Sequence, residues 1–393
     1  MHEASLREPV WPLATLAETC ELVSRGTAPT YDDDGNILVI GQRCIQPTGF
    51  HPSFLKRHRT AGGREVAPVP GDVLLNSTGF GTIGRSCLFN EHGLFIVDSH
   101  VTVIRPGHNL DGRWLDLLLR SFWGQRRLES HCFVGSTGQI ELSRSELLRV
   151  RIPLPPIGEQ RRVAEILDEV DTQIDLLYYA KQKKRSVVDG VRYRLLQGDD
   201  SWKPATFGDL GMVTTGRTPI VEPNDRLTTS IPFVTPSEIT DDGQVLHPRR
   251  VADPESDGVV AVPAGATLAV CIGFGIGKIG FLKFDACINQ QINALIPADI
   301  MDPIFAFNLI SSASHEVKAR SALQVTPIIN KSTFSEIPIK IPDFAVQTRT
   351  GKIIADTLRE IDAVEAGIRK LEVLKRSLMG DLLTGKIRTL SEL

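Results

Sequence analysis

The chain lacks most of what would mark a secreted protein, a membrane protein or an autonomous enzyme. No stretch approaches the ~18 uninterrupted apolar residues of a membrane span. The opening Met1-His2-Glu3-Ala4 has no apolar core of the signal-peptide kind. Six cysteines, Cys20, Cys44, Cys87, Cys132, Cys271 and Cys287, form no C-x-x-C pair and have no accompanying histidine cluster. That excludes the usual zinc and disulfide patterns and predicts buried free thiols in a reducing cytosol. An excess of charge is missing too: 44 basic residues face 47 acidic ones, for a net charge of −3. The whole chain therefore carries no electrostatic footprint for nucleic acid, and any basic surface must come from segregation to one face.

Catalytic signatures are equally sparse. No Gly-x-Ser-x-Gly elbow is present, and no Asp…Glu-x-Lys nuclease constellation stands out. The Asn/Asp-Pro-Pro-aromatic motif of amino-methyltransferases is absent, because Pro155-Pro156 lies between Leu154 and Ile157. His51, His58, His100 and His131 are scattered as surface or structural histidines are. Gly275-Ile276-Gly277-Lys278-Ile279-Gly280 fits G-x-G-x-x-G, but a strand-like Phe281-Leu282-Lys283-Phe284 follows where a dinucleotide site needs a helix. Gly79-Phe80-Gly81-Thr82-Ile83-Gly84-Arg85-Ser86 resembles a phosphate loop with Arg85 in place of the lysine. Tight turns that need positive φ explain both segments more simply. A turn ending in Arg85 or Lys278 can still approach a DNA phosphate closely.

What is present is a duplication. Ile152-Pro153-Leu154-Pro155-Pro156-Ile157-Gly158-Glu159-Gln160 returns as Ile339-Lys340-Ile341-Pro342-Asp343-Phe344-Ala345-Val346-Gln347, with the same offset of 187 at both ends (339 − 152 and 347 − 160). Trp11-Pro12 returns as Trp202-Lys203-Pro204, Gly26-Thr27-Ala28-Pro29 as Gly216-Arg217-Thr218-Pro219, Gly79-Phe80-Gly81 as Gly273-Phe274-Gly275, and Asp98-Ser99-His100-Val101 as Asn289-Gln290-Gln291-Ile292. A duplicated unit predicts a pseudo-two-fold molecule with two similar surfaces, which suits a bipartite target.

Each half reads as α+β. Apolar runs such as Ile37–Ile40, Leu94–Val97 and Ala269–Ile272 are bounded by Gly, Pro and Asp, and short helices are expected over Arg113–Ser121 and Pro303–Ile310. Each half ends in a long helix. Val163, Leu167, Val170, Ile174, Leu177, Lys181, Lys184, Val188, Val191 and Leu195 step by fours and threes, a coiled-coil seam. Ile354, Leu358, Ile361, Val364, Ile368, Leu371, Leu374, Leu378 and Leu382 form the second seam, and Gly198 and Gly385 stop the helices. The expected layout is domain one over 1–157, a spacer helix over 158–198, domain two over 199–345, and a second spacer helix with a tail over 346–393. The two helices should pair antiparallel, with a domain near each end.

Basic and amide-rich loops supply the candidate contacts. In domain one these are Lys56, Arg57, Arg59, Arg64, Arg85, Arg126, Arg127, Thr137 and Gln139. In domain two they are Arg217, Lys278, Gln290, Gln291, Arg320, Asn330 and Lys331. Such side chains carry the forked or paired donors and acceptors that read base edges, although for any one of them alone a solvated surface is the favoured reading.

The two domains, each closed by an Ile-Pro-Leu-Pro-Pro…Glu-Gln type segment and a long helix, together with Leu374-Lys375-Arg376-Ser377-Leu378-Met379, resemble the specificity subunit of Type I restriction–modification systems. The second copy departs from that pattern, with Asp343 at the second proline and Val346 at the glutamate. The resemblance implies a cytoplasmic, non-catalytic DNA reader. Each domain would recognise one half of a split, asymmetric double-stranded DNA site, and the coiled coil would set the gap. It implies two methyltransferase subunits on the helices, with restriction subunits joining through them. S-adenosylmethionine, ATP and Mg would sit on the partners, with no cofactor and no metal on this chain. Glu159, Gln160, Arg161, Arg162, Lys183, Lys184 and Gln347 are the candidate subunit contacts, with solvated charge as the other reading of the basic ones. The competing reading is a coiled-coil scaffold that holds proteins and has no affinity for DNA.

Overall fold

In a computed structural model, the structure describes residues 9–59, 65–135, 140–219, 230–248, 250–273, 275–322 and 327–389. The chain divides into two compact units, one holding the residues up to Tyr178 together with those from Gly367 onward, the other holding Tyr179–Ala366.

In the first unit, the main sheet is antiparallel in the order Cys20–Arg25, Val101–Pro106, Val73–Asn76, Ser86–Leu88. Its central strand is apolar throughout the buried run Val73-Leu74-Leu75 because both faces are covered. The two-residue strand period divides that run. Val73 and Leu75 point into a core with Trp114, Leu118 and Val163, while Leu74 points into a second core with Ile40, Phe89 and Val103. The second core is closed by a small sheet, Lys56–His58, Ile37–Ile40 and Phe95–Val97, in which the last two strands run parallel. A two-stranded ribbon, Leu13–Thr15 with Arg151–Pro153, brings the two ends of the domain together.

The second unit repeats this plan. Its main sheet runs Gly211–Thr215, Ile292–Pro297, Thr267–Val270, Ile279–Phe281. Its small sheet again pairs distant strands in parallel, Ile231–Val234 with Ala286–Ile288, and adds Val260–Val262 on the far edge. Lys203–Thr206 with Pro338–Ile341 is the closing ribbon. Ile37–Ile40 forms as expected and Leu94–Val97 from Phe95 on, whereas the strands near Ala269–Ile272 and Phe281–Phe284 lie earlier, at Thr267–Val270 and Ile279–Phe281; the short helices form as Gly112–Arg120 and Pro303–Ser312.

The long helices run Ile157–Leu196 and Phe344–Leu383, 40 residues each. At 1.5 Å per residue each is about 60 Å long. In the first unit the two helices run antiparallel: Asp171 pairs with Lys375, and Tyr178 donates to Glu372. In the second unit Lys181 pairs with Glu365 at 2.8 Å and Lys184 with Glu360 at 2.6 Å, again with falling numbers against rising ones. All ten positions of the first predicted seam are buried or half-buried. The second seam departs at Leu374, which is 47% exposed, while Lys375 turns inward to Asp171 instead.

Each helix stop meets a tryptophan. Gly198, at φ 67°, lies against Trp202, where a Cβ would sit 2.8 Å from the ring. Gly385, at φ 79°, lies against Trp11, where a Cβ would sit 2.6 Å from Nε1. Trp11 donates to the Leu382 carbonyl, Val10 N donates to Thr384 O at 2.8 Å, and Arg388 covers the indole at 4.3 Å. The first unit thus receives the end of the second helix just as the second unit receives the end of the first.

All six cysteines are free, five of them buried. Burial pushes the thiols up, to about 11 for Cys20 and Cys287 and about 12 for Cys132 and Cys271. Among the described residues no helix is long and apolar enough to cross a membrane.

Candidate nucleic-acid interface

In each unit the same four segments converge at one end of the main sheet. In the first unit they are the end of Cys20–Arg25, the turn Gly79–Arg85, the turn Asp98–His100, and the segment entering helix Arg144–Arg149. Gly26 is packed so closely on the carbonyls of Val97 and Asp98 that no Cβ fits there. Arg25 donates to the Ser99 carbonyl and pairs with Glu141 at 2.9 Å, which holds that carboxyl below its ordinary range. Burial pushes the Asp98 carboxyl up, although it accepts from His100 N. Thr78 and His100 hydrogen-bond at 2.7 Å, and Leu142 N donates to Ser77 O. Asn76 Nδ2 donates to Gln42 O, and Thr82 Oγ1 meets Gln42 Oε1.

In the second unit Gly216 is packed on the carbonyls of Ile288 and Asn289, and Arg217 N donates to Ile288 O. Gln291 N donates to Asn289 Oδ1 at 2.9 Å, and Ile329 N donates to Cys271 O. The turns share two closing bonds, although the second turn is one residue shorter: Gly84 N donates to Asn76 O and Arg85 N to Thr82 O, as Gly277 N donates to Val270 O and Lys278 N to Gly275 O. A second short helix backs each turn. Gln125 of Phe122–His131 donates to Gly84 O, and Lys318 of Ser314–Ala322 packs on Gly277. Neither turn has the strand-to-helix setting of a nucleotide site, since each leads directly into a strand.

The expected contacts separate into groups. Arg85, Arg217, Lys278, Gln290, Gln291, Asn330 and Lys331 gather at these ends. Arg85 donates to Gly81 O at 2.7 Å, Lys278 pairs with Asp241 at 2.9 Å, and Gln290 and Lys331 are exposed. Asn330 spends its amide oxygen capping helix Lys331–Ser335 through Thr333 N, so that atom is not free for a base edge. Lys56, Arg57 and Arg59 lie instead on and just beyond the outer strand of the small sheet. They are engaged by the Tyr31 ring, the Gly35 carbonyl and Asp32 respectively. Arg126 and Arg127 lie over Phe122 and Trp123 on the backing helix, and Arg320 is half-buried on the second. Arg64, Thr137 and Gln139 fall outside the described residues. Sequence reasoning missed Arg25, Gln42 and Thr78. The glycine that follows Arg25 and precedes Arg217 was the available signal.

The helix-start candidates need correction. Gln160 is 0% exposed: its Oε1 accepts from Asp111 N, and its Nε2 donates to Asn109 O and Pro155 O, all at 2.8–2.9 Å. Asp111 in turn caps helix Gly112–Arg120. Gln347, 3% exposed, does the same for Asp302, the cap of Pro303–Ser312, and donates to Pro342 O. These amides fasten each long helix to its own domain and offer nothing to a partner. Glu159 accepts from Thr389 N at 2.8 Å, and Lys184 is spent on Glu360. Arg161 and Lys183 remain exposed, while Arg162 is half-buried. Replacing Gln160 with leucine leaves one buried N–H and two carbonyls without partners, a cost of roughly 3 kcal/mol. Urea unfolding should show that loss for Gln160→Leu and a smaller one for Gln347→Leu, whose bond to Asp302 N is 3.3 Å long. A wild-type midpoint for Gln160→Leu would contradict the fastening role.

Two units with one plan, each presenting a polar loop cluster and fastened to long paired helices, define a tandem recognition module. The Type I restriction modification DNA specificity domain matches residues 13–184 and again 199–374, and the chain belongs to that family. It is a DNA sequence-recognition protein. The chain is 24% identical over 354 residues to a protein described as the type I restriction enzyme MjaX specificity subunit of Methanocaldococcus jannaschii, covering 81% of this chain and 79% of that one. Its fold matches the S subunit of a Type I restriction–modification system from M. genitalium, with a TM-score of 0.60 over 95% of this chain and 96% of that one, at 16% identity. A chain from a structure of assembly and conformational transition in the type I system gives 0.64 over 97% and 100%, also at 16% identity.

Proposed function

We propose that this chain is the specificity subunit of a Type I restriction–modification complex, in which each loop cluster reads one half of a split, asymmetric DNA site. The observation that supports this most is the pair of closing bonds shared by the turns around Gly84 and Gly277. Two reading heads of common architecture but different side chains, Arg85 against Lys278 and His100 against Gln291, suit two unlike half-sites. The paired helices act as a ruler between half-sites more than one ~34 Å helical turn apart.

In this reading the chain does no chemistry. Two methyltransferase subunits dock on the helices, and restriction subunits join through them. S-adenosylmethionine, ATP and Mg are held by those partners, and the complex works in the cytoplasm. Tyr179 and Val187 are exposed on one helical face with Lys183 between them, which gives the docking face an apolar component. Partner subunits also supply part of the basic channel that a chain of net charge −3 does not.

Co-expression tests the reading. With its methyltransferase the chain should co-purify and retain duplex DNA containing the split site, with an affinity that falls steeply with salt. A stable complex that retains no DNA even at low salt would favour the protein scaffold instead.

A further inference from the structure

The turn Gly79–Arg85 displays one side chain that the domain does not use. Phe80 is 99% exposed, whereas Phe89 and Phe95 of the same unit are buried. Single exposed apolar side chains are ordinary, as Phe122 at 61% shows, so it is the setting of Phe80 that carries the argument. The turn is built to hold it out. Gly79 and Gly81 on either side have φ of 101° and 73°, a backbone that residues other than glycine rarely adopt. Thr82 N and Ile83 N both donate to Gly79 O, Thr82 Oγ1 bonds the Thr78 carbonyl, and Arg85 donates to Gly81 O. A rigid loop with a ring at its tip is a preorganised probe and not a fraying segment.

Its setting identifies what it probes. The groups bonded into and around the turn are Gln42, Thr78, Arg85 and His100, all polar or basic. A ring that docked on a protein core would be expected within an apolar patch. A ring that enters nucleic acid is expected among hydrogen-bonding and cationic groups that hold the backbone on either side. Gly-Phe-Gly recurs in the sequence of the second domain as Gly273-Phe274-Gly275, where Phe274 lies outside the described residues. We infer that Phe80 is a wedge that inserts between adjacent base pairs of the half-site read by the first domain, unstacking that step and bending the duplex. The inference rests on the DNA-reading role proposed above. It adds a source of specificity beyond base-edge contacts, because easily unstacked steps such as TA and CA would be preferred at the wedge.

The test uses the full chain assembled with its methyltransferase, on a duplex carrying its methylated site with a dye at each end. Energy transfer reports bending, and titration reports affinity. Wild type should bend the duplex. Phe80→Ala should reduce the bend by at least about 20°, the lower end for a single inserted side chain, and weaken binding by roughly ten- to a hundredfold with an unchanged salt slope. Phe80→Trp should retain both properties. Wild-type bend and affinity in Phe80→Ala would overturn the wedge. So would lost affinity with an unchanged bend, or failure of Phe80→Ala to assemble with the methyltransferase, which would assign the ring to the partner protein. A wild-type complex that did not retain the site at all would instead sink the DNA-reading role itself.

Discussion

Removing residues 178–184 and 361–367, one facing heptad from each long helix, should abolish recognition of the original DNA site. The deletion shortens the pair by about 10 Å, roughly three base pairs of B-DNA, and keeps the seam in register because seven residues restore the heptad phase. Three base pairs are also about a third of a duplex turn, so a shortened site presents its second half on a rotated face. Specific binding to the original site should therefore fall toward the non-specific level, a loss of about 10³ or more, and recovery on a site with a shorter gap should be only partial. Electrophoretic titration across a series of gap lengths measures this directly. An unchanged preference for the original gap would remove the ruler from the account. The pair Lys184–Glu360 should matter little in itself, since exposed ion pairs contribute about 0–1 kcal/mol.

The second large effect concerns independence of the heads. Exchanging residues 13–153 for the corresponding domain of a relative with a different target should replace one half-site and leave the other intact. The boundaries follow the closing ribbon, in which Leu13 pairs with Pro153, so the graft leaves Gln160 and its helix in place. Specific over non-specific binding differs by about 10³–10⁷, so the switch should be close to complete at the exchanged half. Sequencing of sites methylated by the hybrid complex checks it. A change in both halves at once would contradict separate readers.

Much of this organisation was legible in the sequence because it is local or repeated. The heptads of the first helix marked its buried face at every position from Val163 to Leu195. Leu374 misled because a hydrophobic residue at three-residue spacing looks like seam. The packed position is Lys375, whose stem lies inward while its ammonium finds Asp171, a contact no hydropathy pattern announces. The parallel pairing of Ile37–Ile40 with Phe95–Val97 was not legible either, since it joins strands more than fifty residues apart. Gln160 and Gln347 were visible as a repeated residue but were read as surface contacts. The glutamate before the first is replaced by Val346 before the second, while the glutamine itself is kept. That is what a residue bonded inside its own domain requires. The receipt of the second helix by Trp11 was present only as a glycine and a tryptophan repeated in each half, with nothing to say that Gly385 and Trp11 meet.

A cell that carries this chain and its methyltransferase should show a particular methylation pattern. Genome-wide sequencing of modified adenines should return one split motif, two unlike short halves separated by a fixed run of unspecified base pairs, with both halves lost when the chain is deleted. A continuous palindrome, or a pattern indifferent to the chain, would contradict it.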